Sequence, residues 1–369
     1  MVTQIVFILT SSVNTNSIKR IDEFVAKGYN VKAYGFKRDL DVPNKSKNVD
    51  IKILGSYKND LSYYKRCAII YRGIRRVLKE TRERQSVYYL IGLDVAMFFR
   101  LQSRKPYIFE EADLVHTNFK QTLLKNVYER IDKSVIHHSL LSVFRSEGFL
   151  KYHFGKQVPE NVHVIANRLN VGIKDFDIIP KQPIDMDHVK IGYVGFIRYK
   201  SIANFAKVFC EKFPQHEFHF YGTYTSDGEK QMFDGLETLR NCHFHGSFKS
   251  PEELGRIYSE FDLVLSTYDV SSENVRYAEP NKIYEAIYFE TPIIVSSGTF
   301  LAEKVNKLGI GFDIDAMDEN AIMSFINSLT VERLSSIINN IQKIDKNSVI
   351  NVNDDFFEKY EHTIEYHKL

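Results

Sequence analysis

Glu279-Pro280-Asn281-Lys282-Ile283-Tyr284-Glu285-Ala286-Ile287-Tyr288-Phe289-Glu290-Thr291-Pro292-Ile293-Ile294-Val295-Ser296-Ser297 is the stretch around which the chain is organised. It opens with two carboxylates, an amide and a lysine. A short helix follows, then a turn at Thr291-Pro292 and a buried strand from Ile293 to Val295. Pro280 suits the first turn of a helix, where its missing N–H costs nothing. Lys282 and Glu285 are three apart and share a helical face, whereas Glu279 and Glu285, six apart, do not. Polar groups crowded at a helix start are placed to hold an anionic ligand.

The chain has 369 residues, which suggests two domains, and a composition ordinary for a globular protein. Cys67, Cys210 and Cys242 show no metal spacing and read as free thiols in a reducing compartment. The apolar start, Met1 to Thr10, lacks the basic region of a signal peptide. No apolar run approaches the roughly 18 to 20 residues that span a bilayer. The expected location is cytoplasmic, or peripheral on the inner face of a membrane. Charge is unevenly shared: residues 1–180 carry a net +12 and residues 181–369 a net −10. The basic half points to an anionic partner.

Read in order, Gln4 to Thr10 is a buried strand, Ser17 to Lys27 a helix, and Asn30 to Phe36 a second strand. This start is typical of a doubly wound parallel sheet. The intervening loop, 11–16, has no glycine and is not a dinucleotide fingerprint. Tyr63 to Arg84 reads as a helix rich in basic residues, including Arg72, Arg75, Arg76, Lys79, Arg82 and Arg84. Two readings stay open for it: a solvated face, or docking to an anionic membrane surface. Nucleic acid is the poorer partner, because no base-stacking or groove-reading module lies nearby.

Ser86 to Leu90 and Tyr107 to Phe109 are further strands. Glu110, Glu111 and His116 are expected beyond the carboxyl end of the latter, where ligands bind in such sheets. A helix over 119–138, a strand over 140–145 and a strand over 162–166 complete this half. Prolines 180 and 183 among acidic residues mark a linker. A second series of strands and helices then runs from Val189. Its strands include 189–194, 217–221 and 262–265. The tail, 354–368, is an amphipathic helix. No internal repeat at solenoid periods is present.

Several short motifs occur in a fixed order: Ile-Gly-Tyr-Val-Gly-Phe-Ile-Arg (191–198), Phe-Tyr-Gly (220–222), His-Gly-Ser-Phe (245–248) with Ser-Pro-Glu-Glu-Leu (250–254), Phe-Asp-Leu-Val-Leu-Ser (261–266), and Pro-Asn-Lys-Ile-Tyr-Glu-Ala with Thr-Pro-Ile-Ile (280–294). Together they resemble the retaining GT-B glycosyltransferases of the family-4 (group 1) type. The resemblance is strongest over 189–310. It implies an α/β fold of two Rossmann-like doubly wound domains facing a cleft: residues 1–172 on the acceptor side, a linker over 173–188, and residues 189–353 for the nucleotide-sugar. The helix 354–369 is expected to rejoin the first domain.

Carried onto this chain, the resemblance gives Glu285 the nucleotide ribose, which suits a carboxylate accepting from two hydroxyls. Arg198 and Lys282 would hold the diphosphate and stabilise it as a leaving group. Gly195 and Gly222 would permit close backbone approach. Asn281, Phe248 and Tyr268 complete the expected donor side, with the two aromatic rings lining the base pocket. The family often has a second glutamate eight positions before the ribose glutamate. Here that position is Tyr277, and whether Glu279 replaces the missing group is open. His116, or the carboxylates Glu110 and Glu111, are candidates for touching donor sugar or acceptor from the N-terminal side. The implied reaction retains configuration, with the leaving phosphate deprotonating the acceptor, unlike the two-carboxylate scheme of hydrolases.

No metal is expected. Asp313-Ile-Asp315 imitates a metal-binding Asp-x-Asp but reads as an edge strand, and no His/Cys/carboxylate spacing suggests zinc. The expected substrates are a nucleotide-diphosphate sugar and a glycan or lipid-linked acceptor. A nucleotide-sugar epimerase of the same fold, or a non-catalytic nucleotide-sugar-binding subunit, are the alternatives.

Overall fold

The structure, a computed structural model, describes residues 4–38, 46, 48–58, 61–82, 85–224 and 226–368. The chain divides into two compact units, Met1–Ala166 with Asn353–Leu369, and Asn167–Val352. The change of unit falls at 166/167 rather than at 172/173. The expected linker lies inside the second unit, which begins with a short 3-10 turn over Val171–Asp175.

In the first unit the chain runs β1 (Gln4–Leu9), α1 (Thr15–Ala26), β2 (Val31–Arg38), β3 (Ile51–Tyr57), α2 (Tyr63–Glu80), β4 (Ser86–Ile91), α3 (Leu93–Gln102), β5 (Tyr107–Glu111), α4 (Thr122–His138), β6 (Leu141–Phe144), α5 (Glu147–Phe154) and β7 (Val162–Val164). The sheet order is β3-β2-β1-β4-β5-β6-β7, and each neighbouring pair is parallel. The central strands β1 and β4 are buried along their whole length, as continuous apolar strands in a doubly covered parallel sheet should be. The glycine-free loop before α1 has a structural role: Asn14 caps the helix, its Oδ1 accepting from Ser17 N at 3.1 Å.

Three details depart from the sequence expectations. Glu110 and Glu111 lie within β5, not beyond it, and both are buried. Helix α2 stops at Glu80, and Arg84 lies outside the described residues. β3 and α3 were not anticipated; β3 is half exposed and lacks a clean apolar alternation.

The second unit runs β8 (Lys190–Val194), α6 (Lys200–Lys212), β9 (Glu217–Tyr221), α7 (Asp227–Gln231), β10 (Cys242–Gly246), α8 (Leu254–Ser259), β11 (Leu263–Ser266), α9 (Glu273–Tyr277), α10 (Lys282–Tyr288), β12 (Ile293–Ser296), α11 (Phe300–Leu308), β13 (Gly311–Ile314), α12 (Glu319–Asn327) and α13 (Val331–Gln342). Its sheet order is β10-β9-β8-β11-β12-β13, again all parallel. The winding direction reverses between β8 and β11. Such a switch point opens a crevice at the carboxyl ends of the two strands.

The final helix, α14 (Asp354–Tyr366), belongs to the first unit. Phe356, Phe357, Tyr360 and Ile364 are buried with Phe7, Phe24 and Tyr89 in one core cluster. The Phe24 ring meets the Phe356, Phe357 and Tyr360 rings edge-on, with centroids 6.0, 5.0 and 5.3 Å away. Among the described residues no helix is long and apolar enough to cross a membrane.

Candidate active site

At the switch point, β8 hands over through Gly195 to Arg198 and Tyr199 at the start of α6, and β11 hands over to Thr267, Tyr268 and Asp269. The second loop is tied to its neighbours. Asp269 caps α6, its carboxylate oxygens accepting from Lys200 N at 3.2 Å and Ser201 N at 2.9 Å. Tyr268 N donates to Ser296 Oγ at 2.8 Å, and that hydroxyl donates back to Tyr268 O at 2.9 Å.

Lys282, the first residue of α10, sends its ammonium into this crevice. The nitrogen lies 4.7 Å from the Tyr193 ring centroid and 5.9 Å from that of Tyr268. It also lies 3.1 Å from where a Cβ on Gly195 would stand, so any side chain there would crowd the lysine. Gly222 has a related task. At φ +149°, a Cβ on it would fall 1.8 Å from the Gly195 carbonyl oxygen. The close approach expected of these glycines is therefore first of all an approach of protein to protein.

Burial disfavours the Lys282 ammonium, but Tyr193, Tyr268 and Glu285 outweigh it and raise its pKa above the usual lysine value. It stays charged at neutral pH. Glu285 follows one turn along α10. Burial raises its pKa, while the Tyr258 hydroxyl, donating to Oε2 at 2.6 Å, and the Lys282 charge pull it back. One helical turn thus presents a fixed cation and a carboxylate held from behind. The cation suits a phosphate, and the carboxylate suits paired hydroxyls.

Arg198 is exposed, with its guanidinium carbon 4.9 Å from the Tyr199 ring centroid, and Tyr199 packs edge-on against Tyr268 at 4.9 Å. Arg198, Lys282, Tyr268, Gly195 and Gly222 thus cluster at the carboxyl edge around β8 and β11. Asn281 is exposed, and its backbone carbonyl opens α10 by accepting from Tyr284 N and Glu285 N. Phe248 is half-buried beyond the end of β10, a strand separated from β8 by β9. Tyr258 was missed in the sequence. It sits on α8, 27 positions before its partner, and looks there like any core aromatic.

Two expected catalytic groups are engaged elsewhere. Glu279 is buried, and its Oε1 accepts from Lys304 Nζ at 2.9 Å, while its carbonyl accepts from Asn167 Nδ2 at 3.0 Å. That ion pair ties the approach to α10 onto α11. His116, in the first unit, is fully buried with both ring nitrogens taken, by Asp132 Oδ2 and by Tyr152 Oη, each at 3.1 Å. Both side chains are buried and hydrogen-bonded within their own unit. Glu110 is likewise held, by Arg145 at 2.8 Å and Arg20 at 3.3 Å, which keep its carboxyl below the usual range despite burial. At Glu111, burial and the neighbouring Asp132 push the pKa well up, and its Oε2 lies 2.9 Å from His153 Nε2. Burial in turn lowers the His153 pKa to about 4.

Arg72, Arg75, Arg76 and Lys79 all lie exposed on α2, at the three- and four-residue spacing of a single stripe, while Ile70, Gly73, Ile74 and Val77 are buried. Asp313 lies in edge strand β13, bonded by Ser297 Oγ and Asn306 Nδ2, and Asp315 accepts from Met317 N. Among the described residues two groups of potential ligands converge: Glu111, Asp132 and His153 in the first unit, and Glu217, His219 and His243 in the second.

Residues 201–357 match the model of the family described as glucosyltransferase 3-like, C-terminal domain. That match includes Lys282 and Glu285 and begins just after Arg198. No curated protein matches the chain. Among solved structures, sucrose-phosphate synthase from Thermosynechococcus elongatus is similar with TM-score 0.72 and 13% identity, covering 99% of this chain and 98% of that one. HepE of Anabaena, in complex with UDP and glucose, gives 0.68 and 14%, covering 96% and 99%. The lipopolysaccharide outer core galactosyltransferase WaaB gives 0.62 and 16%, covering 99% and 100%. The fold is GT-B. The chain carries a glycosyltransferase domain.

Proposed function

We propose that this protein transfers a sugar from a nucleoside-diphosphate donor to a glycan acceptor, with retention of configuration. The observation that carries this reading is the Lys282–Glu285 turn, set at the switch point of the second unit's sheet and backed by Tyr193, Tyr258 and Tyr268. Lys282 takes the diphosphate, with Arg198 as the exposed second cation. Glu285 accepts from the ribose hydroxyls. Tyr268 and Tyr199 supply aromatic surface beside the phosphates, and Phe248 is assigned to the base side. As the glycosidic bond breaks, negative charge grows on the leaving diphosphate, and a fixed ammonium stabilises it without reorganising. The leaving phosphate then removes the acceptor proton, so no buried carboxylate is needed as base. Glu279, tied to Lys304, positions α10 rather than touching the sugar.

The acceptor is assigned as lipid-linked, in synthesis of a bacterial-type surface polysaccharide, with the protein working at the inner face of the cell membrane. The exposed basic stripe of α2 supports this reading. HepE was solved with UDP, which makes UDP a reasonable first donor nucleotide to test. The test is turnover: the protein is incubated with a panel of nucleotide-sugars, with and without membrane lipid extract. Release of free nucleoside diphosphate that requires the extract supports the proposal. Conversion of the nucleotide-sugar without acceptor would point to an epimerase. Nucleotide-sugar binding without turnover would point to a non-catalytic subunit.

A further inference from the structure

The second unit carries a histidine cluster that the donor site does not use. Glu217 and His219 alternate on β9, and His243 and His245 alternate on β10, the edge strand. Residues two apart on a strand point to the same face. The parallel register sets His243 directly beside His219. Glu217, His219 and His243 therefore emerge together, and His245, at a shift in the β10 register, joins them through its ring contact with His219. His219 and His243 rings lie 4.8 Å apart, and His219 and His245 stack at 5.3 Å with planes 5° apart.

We infer that Glu217, His219 and His243 form a binding site for a divalent transition-metal ion of the zinc type. Their ligand atoms lie within 4.8 Å of one another. His219 Nε2 stands 3.3 Å from Glu217 Oε2. That is long for a charge-assisted hydrogen bond, which runs at about 2.7–2.9 Å. It is close to the separation of two ligands on a tetrahedral ion with metal–ligand bonds of about 2.0–2.2 Å, roughly 3.3–3.5 Å. Two imidazoles and one carboxylate form a ligand set that zinc uses when its fourth position is left to water or a substrate.

The neighbouring group fits the same reading. His219 Nδ1 lies 3.0 Å from His245 Nε2. With His245 accepting the Nδ1 proton, the His219 Nε2 lone pair is turned toward Glu217 and His243. A ligating histidine commonly donates its second ring proton in this way, which fixes its tautomer. His245 is itself stacked on Tyr221 at 4.1 Å, so its own ring is held. The competing cation is Lys190, 3.5 Å from Glu217 and half exposed, which can swing into water. Bound there, the ion would clamp the edge strand β10 onto β9 and stabilise the second unit by mass action.

The test is titration of the full chain with Zn2+ by calorimetry, together with thermal melting and the visible absorption of the Co2+ form. The expected result is one Zn2+ per chain, a rise in melting temperature, and the intense bands of tetrahedral Co2+. His243→Gln and Glu217→Gln should each weaken Zn2+ binding at least tenfold and abolish the melting shift. His245→Gln should weaken it about tenfold, the usual size of a supporting-residue effect. His188→Gln, outside the cluster, should change nothing. Because His243 and Glu217 lie on different strands and are only half-buried, a variant that fails to fold leaves the other to decide. Absence of Zn2+ binding by the unaltered chain, or binding that survives both substitutions, overturns the inference.

Discussion

Lys282 and Glu285 share one turn, yet each is held by groups from elsewhere in the chain. Replacing Lys282 with methionine keeps much of its volume and removes its charge. Hydrogen bonds to charged groups contribute about 1.5–3 kcal/mol. UDP affinity, measured by calorimetry, should therefore fall about 10- to 100-fold. Tyr258→Phe is a subtler probe. The Tyr258 hydroxyl lowers the Glu285 pKa, so its loss should raise it further. A carboxylate must be ionised to accept both ribose hydroxyls, so nucleotide affinity should begin to fall at a higher pH in the variant than in the parent. Overlapping pH profiles would mean that Glu285 does not contact the nucleotide.

The pair itself was legible from a three-residue spacing. Tyr258 was not, because its partner is distant in sequence. The Glu279 ion pair was hidden for the same reason: Lys304 lies 25 positions on, and nothing local reveals it. His219 and His243 were not linked because they are far apart in sequence and only the pairing of β9 with β10 brings them together.

At the scale of elements, β5 places Glu110 and Glu111 on opposite sides of a sheet, one beside two arginines and the other beside Asp132, Asp113 and His153. Glu111 retains a proton in the folded state that the unfolded chain would lose above its ordinary pKa. Unfolding then releases that proton, so this group's contribution to stability falls as pH rises from about 4.5 toward its raised folded value. His153 acts oppositely. Its folded pKa, about 4, lies below the unfolded value, so its contribution falls as pH drops below about 6.5. Glu111→Gln mimics the protonated acid and does not titrate, so its melting temperature relative to the parent should improve as pH rises from about 4.5 toward 8. A constant difference would contradict a raised Glu111 pKa.

Helix α2 supports a second expectation at this scale. Each basic residue near an anionic headgroup contributes about 1 kcal/mol. Reversing Arg72, Arg75, Arg76 and Lys79 to glutamate should therefore abolish cosedimentation with phosphatidylglycerol vesicles while leaving UDP binding intact. Equal sedimentation of parent and variant would assign the stripe to solvent. The stripe was readable because charge and helical period coincide there. The true end of the helix was not, since Arg82 and Arg84 prolong the basic run past Thr81.

For the whole molecule, two parallel sheets in tandem were legible because their central strands are continuous apolar runs between turn residues. The boundary at 166/167 was not. Composition changes several residues later, where prolines and acids gather, although the second unit already includes Asn167. The tail's amphipathic aromatic pattern, by contrast, announced a packed helix. Phe356 is fully buried against Phe24. Phe356→Ala should cost the first unit about 3–5 kcal/mol, seen as a lowered melting temperature, while the second unit keeps its nucleotide affinity.

The central claim is that the second unit holds a nucleoside diphosphate on the Lys282–Glu285 turn. Its most direct measurement is calorimetric titration of the parent chain, Lys282→Met and Glu285→Ala with a panel of nucleoside diphosphates. The expected result is one site per chain for at least one nucleotide, weakened tenfold or more in both variants with their folds unchanged. Affinity that is the same in all three proteins, or no binding of any nucleotide by the parent, would contradict it.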